Sequence, residues 1–326
     1  MTTTYDFVAA KLADPAGAQA FFGGNPDAWI DSHHFPGVRD THEAYPFIDP
    51  TQNKALSQED KVVLVAGASK GIGRAIALAF AKAHPKALIL WARNLGQLEE
   101  LQKEIKITCP ATEVLVQRVD VTSEGDVTSA LKKVKENFGA IDIAINNAGN
   151  NACKTNLGDK DSDLQTWWSH FDLHVKGLFL LARGFLQLLA DADKSSGATL
   201  INITSSASIG VIPTQSAYSA SKHAADRVIE TLTLEYPTHT FYSLHPGVVD
   251  TDITRAHNVS QFGWNFDAPD LSAGVALWLT TPDATFLKGR WISANWRVDD
   301  LLAKRDEIEG RGLLKGGINA RLGVEK

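Results

Sequence analysis

"VVLVAGASKGIGRAIALAF", residues 62–80, is the stretch on which the reading of the whole chain turns. It opens with a branched apolar run whose length suits a strand buried on both faces, and closes with the apolar spacing of a helix. Between the two, Gly67, Gly71 and Gly73 bracket a tight turn that also carries Ser69, Lys70 and Ile72. Residues without Cβ allow close backbone approach, so amides at a helix N-terminus can face a pyrophosphate whose charge the helix dipole favours. Glycines in a turn are weak evidence alone; a strand before them and a helix after them is the context that makes a dinucleotide cradle. Working outward, "KALILWA", "TEVLVQRV", "AIDIAIN", "ATLINIT" and "THTFYSLH" repeat the strand texture, with a last short strand at "GRWIS". The intervening "LGQLEELQKEIKI" and "DVTSALKKVKENF" have helical spacing, and "VDDLLAKRDEI" predicts a closing helix. Strand and helix alternating in this order predict the α/β class, a doubly wound parallel sheet with helices on both sides. The expected organisation is an irregular arm over residues 1–57, one domain over 58–295 and an extension over 296–326.

Composition agrees with an ordinary globular chain, 44% apolar and 21% charged. The balance of 32 basic against 38 acidic side chains, net −6, contains no block of like charge and points to a small-molecule partner, not nucleic acid or a membrane. The start lacks a basic region followed by an apolar core, and no later stretch reaches the ~18 consecutive apolar residues of a membrane span, so a cytoplasmic protein is expected. Cys109 and Cys153 have neither metal-ligand nor disulfide spacing, and no metal site is expected.

Two further stretches carry chemistry. About twenty residues past the glycines, an NAD site places an acid on the ribose, whereas a 2′-phosphate is accommodated by Arg. Here the second strand ends in Arg93 and Asn94, and with Lys70 nearby this argues for NADP(H) over NAD(H). "INITSSASIGVIPTQSAYSASKH", residues 201–223, places a Ser pair at the end of an apolar run, then Tyr218, then Lys222. Either a strand tip and a helix face present a hydroxyl, a phenol and an ammonium to one reacting carbonyl, or a polar loop leads into an ordinary helix. Helical spacing puts Lys222 on the face of Tyr218, where a cation favours phenolate.

With "GASKGIG", "DVT" at 120–122, "NNAG" at 146–149, the Ser and "YSASK" set and "HPGVVDT" at 245–251, the chain resembles the short-chain dehydrogenase/reductase family over residues 58–295. The flanking segments resemble those of a fungal branch of reductases. The resemblance implies a Rossmann-type domain and an NADP(H)-dependent oxidoreductase working on a carbonyl or secondary alcohol. It implies that Asp120 and Val121 contact the adenine, that Asn147, Ala148 and Gly149 line the cofactor, and that Val249 and Thr251 hold the nicotinamide carboxamide. It makes Tyr218 the acid/base and gives Lys222 the task of lowering its pKa and bonding the nicotinamide ribose. Ser205, thirteen positions before Tyr218, becomes the hydroxyl that polarises substrate; Ser206 stays open as its alternative. A homodimer or homotetramer is implied as well.

Two departures from the family pattern stand out. His174 occupies the position of an Asn that helps feed protons to the Lys; it is read either as part of a modified relay or as a His bonded to backbone. Ala66 replaces a Thr that braces the glycine turn. On the substrate side, Phe262, Trp264 and Phe266, with Ile209, Val211 and Ile212, could close over a bulky apolar or aromatic compound, or simply pack on the body. Trp167 and Trp168 are read as helix packing. An inactive cofactor-binding scaffold or sensor, or a dehydratase or isomerase on the same fold, stay open as alternative functions.

Overall fold

The computed structural model describes residues 35–210, 212, 214–257 and 266–316. Phe262, Trp264 and Val211 lie outside the described residues. The expected strands form as β1 (Val62–Ala66), β2 (Ala87–Ala92), β3 (Glu113–Arg118), β4 (Ile143–Asn146), β5 (Thr199–Ile203), β6 (Thr240–His245) and β7 (Trp291–Ser293). They make one sheet in the order β3-β2-β1-β4-β5-β6-β7, parallel at every neighbouring pair. The central runs β1, β2, β4 and β5 are buried along their whole length because both faces are covered, whereas the edge strand β3 is only partly buried. Val63, Val65, Leu88 and Leu90 point into one core, whereas Leu64, Ile89 and Trp91 point into the other.

The covering helices are α1 (Gly71–Lys82), α2 (Leu95–Thr108), α3 (Glu124–Phe138), α4 (Leu164–Phe171), α5 (Gly177–Asp191), α6 (Ser216–Glu235), α7 (Asp252–Ala256), α8 (Pro269–Trp278), α9 (Val298–Ala303) and α10 (Arg305–Gly310). Helices α1, α2 and α8 bury Ile76, Phe80, Leu98, Leu271 and Val275 on one face; α3, α5 and α6 bury Leu131, Phe185 and Ile229 on the other. Local sequence starts several of them. Ser123 accepts the Asp126 amide at 3.2 Å and Asp163 accepts that of Thr166 at 2.7 Å, each satisfying a donor the helix leaves open.

Chain direction across the sheet reverses between β1 and β4. In an open α/β sheet the ligand crevice lies at such a reversal, outside the carboxyl ends of the strands. Gly67, Asn147, Ser205 and Pro246 all follow strands at that edge.

Residues 35–57 run against the body instead of forming their own core. Ile48 and Leu56 are fully buried in it, and Gly274 of α8 has no Cβ because the Ile48 carbonyl would lie 2.7 Å from one. Trp296, Val298, Leu301 and Ile308 continue the same core past residue 295. The closing helix is broken into α9 and α10 at Lys304, whose side chain turns to Glu307 at 3.1 Å and lies 5.6 Å from the Phe35 ring.

Two expectations need adjusting. Leu164–Asp191 is long and apolar enough, by length and composition, to cross a membrane, but its most apolar window is 56% buried, with Leu178, Leu181 and Phe185 covering the sheet. Trp167 is half-buried and its indole N–H donates to Ser216 Oγ at 3.1 Å, as a packing residue would. Trp168, however, is 53% exposed, stacked on Trp167 and Phe171.

Candidate active site

The glycine turn is shaped by contact, not by flexibility. Gly67 has φ +81°, and a Cβ there would sit 2.8 Å from the Ala148 amide nitrogen. One on Gly73 would sit 2.1 Å from the Gly67 carbonyl oxygen and 2.4 Å from Asn147 Nδ2. The space those atoms would need is taken by a hydrogen bond: Asn147 Nδ2 donates to Gly67 O at 2.9 Å. That bond, with the Asn147 amide on Ala66 O at 3.0 Å, braces the turn. Ala66 therefore leaves the bend supported by its neighbour strand in place of a hydroxyl. Helix α1 begins here with no side-chain cap at Lys70, so its first-turn amides have no side-chain acceptor at the cap.

The chain around the turn assembles as follows. Arg93 and Asn94 are exposed at the end of β2, and Asn94 caps α2 by accepting the Gln97 amide at 3.2 Å. Asp120 accepts from the Thr122 amide at 2.9 Å and hydroxyl at 2.8 Å. Burial pushes its carboxyl up, but those bonds and the nearby Arg93 outweigh it and leave the pKa below the ordinary value. Val121 is buried against the start of α5, in contact range of Gly177. Lys70, read from sequence as a second cation for a 2′-phosphate, forms an ion pair with Asp252 at the start of α7. Both partners are well exposed, so the pair is a weak one. Thr251 caps α7 and lies beside the turn, its Cγ2 3.3 Å from where a Gly71 Cβ would be. Val249 is buried and bridges to Asp267.

The end of strand β5 and helix α6 bring Ser205, Tyr218 and Lys222 together. Ser205, whose Oγ accepts the Ala207 amide at 3.2 Å, lies close enough to Tyr218 to pull the phenol's pKa downward. Ser206, the alternative, is buried, with its amide on His245 Nδ1 at 3.2 Å. Lys222 is 6% exposed; its ammonium donates to Ile203 O at 2.7 Å and lies 5.9 Å from the centre of the Tyr218 ring. Burial lowers its pKa to about 8, against an upward pull from Asp226. The expected lowering of the phenol is not present. Burial holds Tyr218 above its ordinary value, opposed by Ser205 and reinforced by Asp226, because the ammonium is turned to a backbone carbonyl and not to the phenolic oxygen.

Sequence reasoning passed over Asp226, four residues beyond Lys222 on the same helix face. Its carboxylate accepts from Thr204 Oγ1 at 2.9 Å, and burial raises its pKa to about 6, partly offset by Ser208, Thr204, Ser243 and Lys222. The spacing Tyr218, Lys222, Asp226 was a legible signal.

His174 lies in a single π-helical turn, Asp172–Lys176, between α4 and α5. Ser221 spends its proton on Tyr218 O at 2.9 Å, so His174 Nδ1–H donates to Ser221 Oγ at 2.8 Å, and Nε2 accepts the Asn150 amide at 3.4 Å. Burial, then Lys222 and His170, keep its pKa well below 6.5, and the ring is neutral. Both nitrogens are thus engaged, tying the end of "NNAG" to the residue beside Lys222. His170, missed from sequence, repeats the pattern: Nδ1–H donates to Thr166 O at 3.0 Å and Nε2 accepts the Ala152 amide at 3.2 Å. The two rings stand edge-on to Tyr218, at 5.5 Å for His174 and 6.4 Å for His170. On the substrate side, Phe266 and Ile212 are half-buried, and Ile209 lines a small cavity with His223, Asp226, Ser243 and Trp291.

A doubly wound sheet with a glycine turn at its reversal and Ser, Tyr and Lys at the next strand end defines a nicotinamide-dependent oxidoreductase class. Residues 61–261 match the family model for short chain dehydrogenase, and the chain belongs to that family. It is 34% identical over 287 residues to the short chain dehydrogenase citE of Monascus ruber, covering 86% of this chain and 96% of that one. It is 31% identical over 280 residues to pigC of the same organism, covering 82% and 88%. Among solved structures, the L-sorbose reductase of Gluconobacter frateurii complexed with NADPH and L-sorbose matches with TM-score 0.66 and 25% identity over 73% of this chain and 96% of that one. A 7 alpha-hydroxysteroid dehydrogenase complexed with NADH and 7-oxo glycochenodeoxycholic acid shares the fold, with TM-score 0.67 and 22% identity over 74% and 95%.

Gly73→Ala is expected to destabilise the protein by about 1–3 kcal/mol, because the new methyl meets backbone and not a yielding side chain. Thermal unfolding reads it, and fluorescence titration should show dinucleotide binding weakened at least about tenfold. An unchanged melting midpoint would sink this account of the turn.

Proposed function

We propose that the protein is an NADP(H)-dependent oxidoreductase that moves hydride between nicotinamide and a carbonyl or secondary alcohol, with Tyr218 as acid and base. The observation that carries this reading is the buried Lys222 ammonium 5.9 Å from the centre of the buried Tyr218 ring, with Ser205 beside the phenol, at the sheet edge that also bears the glycine turn. The chain fits the cofactor: a bend closed to any Cβ, an α1 N-terminus without a side-chain cap, and the exposed Arg93 where a 2′-phosphate would lie. A nicotinamide dinucleotide supplies the hydride. The protein's share is proton management at oxygen.

In the reduction direction, Ser205 and Tyr218 both bond the carbonyl oxygen, and the phenol gives up its proton as negative charge develops there. A pKa held above the ordinary 10 keeps Tyr218 protonated through neutral pH, the form that reduction needs. Lys222, once drawn from Ile203 O, stabilises the phenolate left behind. Loss of its proton near pH 8 would leave Tyr218 a weaker acid. His174 supports the scaffold and carries no proton in this scheme, since its only N–H is directed at Ser221. The half-buried Phe266 and Ile212 support a bulky apolar or aromatic substrate.

We further propose a homodimer formed through the α4–α5 and α6 faces. Leu164 (72% exposed), Trp168 (53%), Phe179 (53%) and Leu234 (82%) lie on these helices, a set of large apolar side chains that a second copy would cover.

Three outcomes follow from these proposals. Tyr218→Phe should lower kcat/KM for NADPH-dependent ketone reduction by about 10²–10⁴-fold while leaving the NADPH dissociation constant within about twofold; retained turnover removes Tyr218 from its role. Arg93→Ala should cut the preference for NADPH over NADH by about tenfold in paired titrations. Phe179→Glu should shift light-scattering mass from dimer to monomer, and a monomeric unmodified protein would refute the interface.

A further inference from the structure

The residue that holds the chain after β6 in place is Asp267, and it is itself held from the arm. Asp267 pairs with Val248 in both directions: its amide donates to Val248 O at 2.9 Å and its Oδ2 accepts the Val248 amide at 2.5 Å. The neighbouring Gly247, at φ +81°, has no room for a Cβ, which would lie 2.4 Å from that same Oδ2. The carboxylate therefore sits inside the bend that leads to Val249 and Thr251. Its other oxygen accepts from Asn295 Nδ2 at 2.9 Å and from His42 Nδ1 at 2.6 Å. His42 grips the next residue too, its carbonyl accepting the Ala268 amide at 2.9 Å. Thr41 completes the clamp, with its amide on Asn295 O at 2.8 Å and its carbonyl accepting from Asn295 Nδ2 at 3.1 Å. Neither His42 nor Asp267 falls within the matched family region, 61–261.

We infer that the N-terminal arm is a working part of the cofactor site: through His42 and Asp267 it sets the position of the Val248–Thr251 segment that faces the nicotinamide. The inference rests on the cofactor reading proposed above, and goes beyond it by assigning a positioning residue to a segment the family core lacks. Asp267 is 4% exposed at its side chain, so its oxygens need these hydrogen-bond partners; His42, at 34%, is the one of them whose side chain can carry a positive charge. The carboxylates of Asp267 above all, then Asp40 and Glu43, outweigh partial burial to raise the pKa of His42 above 6.5. A group raised in the folded state contributes fully below its unfolded value, near 6.5, and loses that contribution as pH climbs through the raised native value. The strut is consequently firm at mildly acid pH and slackens above the native pKa of His42.

The test uses the full-length chain, His42→Ala and His42→Asn, each titrated with NADPH, NADH and adenosine 2′,5′-bisphosphate, which carries no nicotinamide. His42→Ala should weaken the dinucleotide bound by the unmodified chain about tenfold, the scale of one hydrogen bond to a charged group. Adenosine bisphosphate binding should stay within about twofold, since the adenine end is remote from the strut. His42→Asn, which can still donate from a nitrogen near the Nδ1 position, should recover most of the affinity and lose its decline with rising pH. Unchanged dinucleotide affinity in His42→Ala overturns the inference alone, and so does equal weakening of both ligand types, which marks general loosening. If the unmodified chain binds neither dinucleotide, the cofactor reading falls first and the strut with it.

Discussion

The close approach of Gly67, Gly73 and Asn147 is the constraint on which the rest of the structure depends. One hydrogen bond of 2.9 Å from a side-chain amide to a glycine carbonyl joins the ends of β1 and β4 with α1, at the place where the sheet reverses its winding. Any side chain at either glycine would force the strands' ends apart. Because those ends also set where Asn150 and the π-helical turn lie, the same contact bears on Tyr218 through His174. The glycine turn and Tyr218 are therefore one mechanical unit, and not two features placed side by side.

A second theme is the reliance on buried polar groups with few alternatives. His170 and His174 are each locked in the Nδ1–H tautomer by their partners, and each holds a loop amide of residues 150–153 against the wall of the phenol. Asn146 donates to Asn202 at 2.8 Å inside the sheet, between β4 and β5. Such groups are costly if left without partners, so a small displacement of one is transmitted to the next instead of being absorbed by water. The outcome is a cluster rigid at its base, with the Tyr218 phenol above it.

Local patterns carry much of this into the sequence. Continuous apolar runs announced the central strands because they are buried on two faces, whereas the edge strand β3 is only partly buried, and the glycine turn was legible because a Cβ at Gly67 or Gly73 has no room. Tyr218 and Lys222 were legible as a helical pair, and Asp226 could have been read by extending the same spacing one more turn. What escaped were partnerships between residues distant in the chain: His42 with Asp267 is separated by 225 positions, and Lys70 with Asp252 by 182. Nothing in a local window distinguishes an arm histidine that grips a remote carboxylate from a solvated one. The ionisation of Tyr218 also escaped, because proximity of Lys222 along a helix says nothing about which acceptor the ammonium finds; the Ile203 carbonyl won that competition.

Tyr218, Lys222 and Asp226 occupy successive turns of α6, a twenty-residue helix whose one face carries phenol, ammonium and carboxylate in file. Sliding that helix by a single residue rotates all three by about 100° and disperses them together. The three side chains thus share an all-or-nothing register, so the site tolerates change in the connections around α6 far better than a shift of the rod itself.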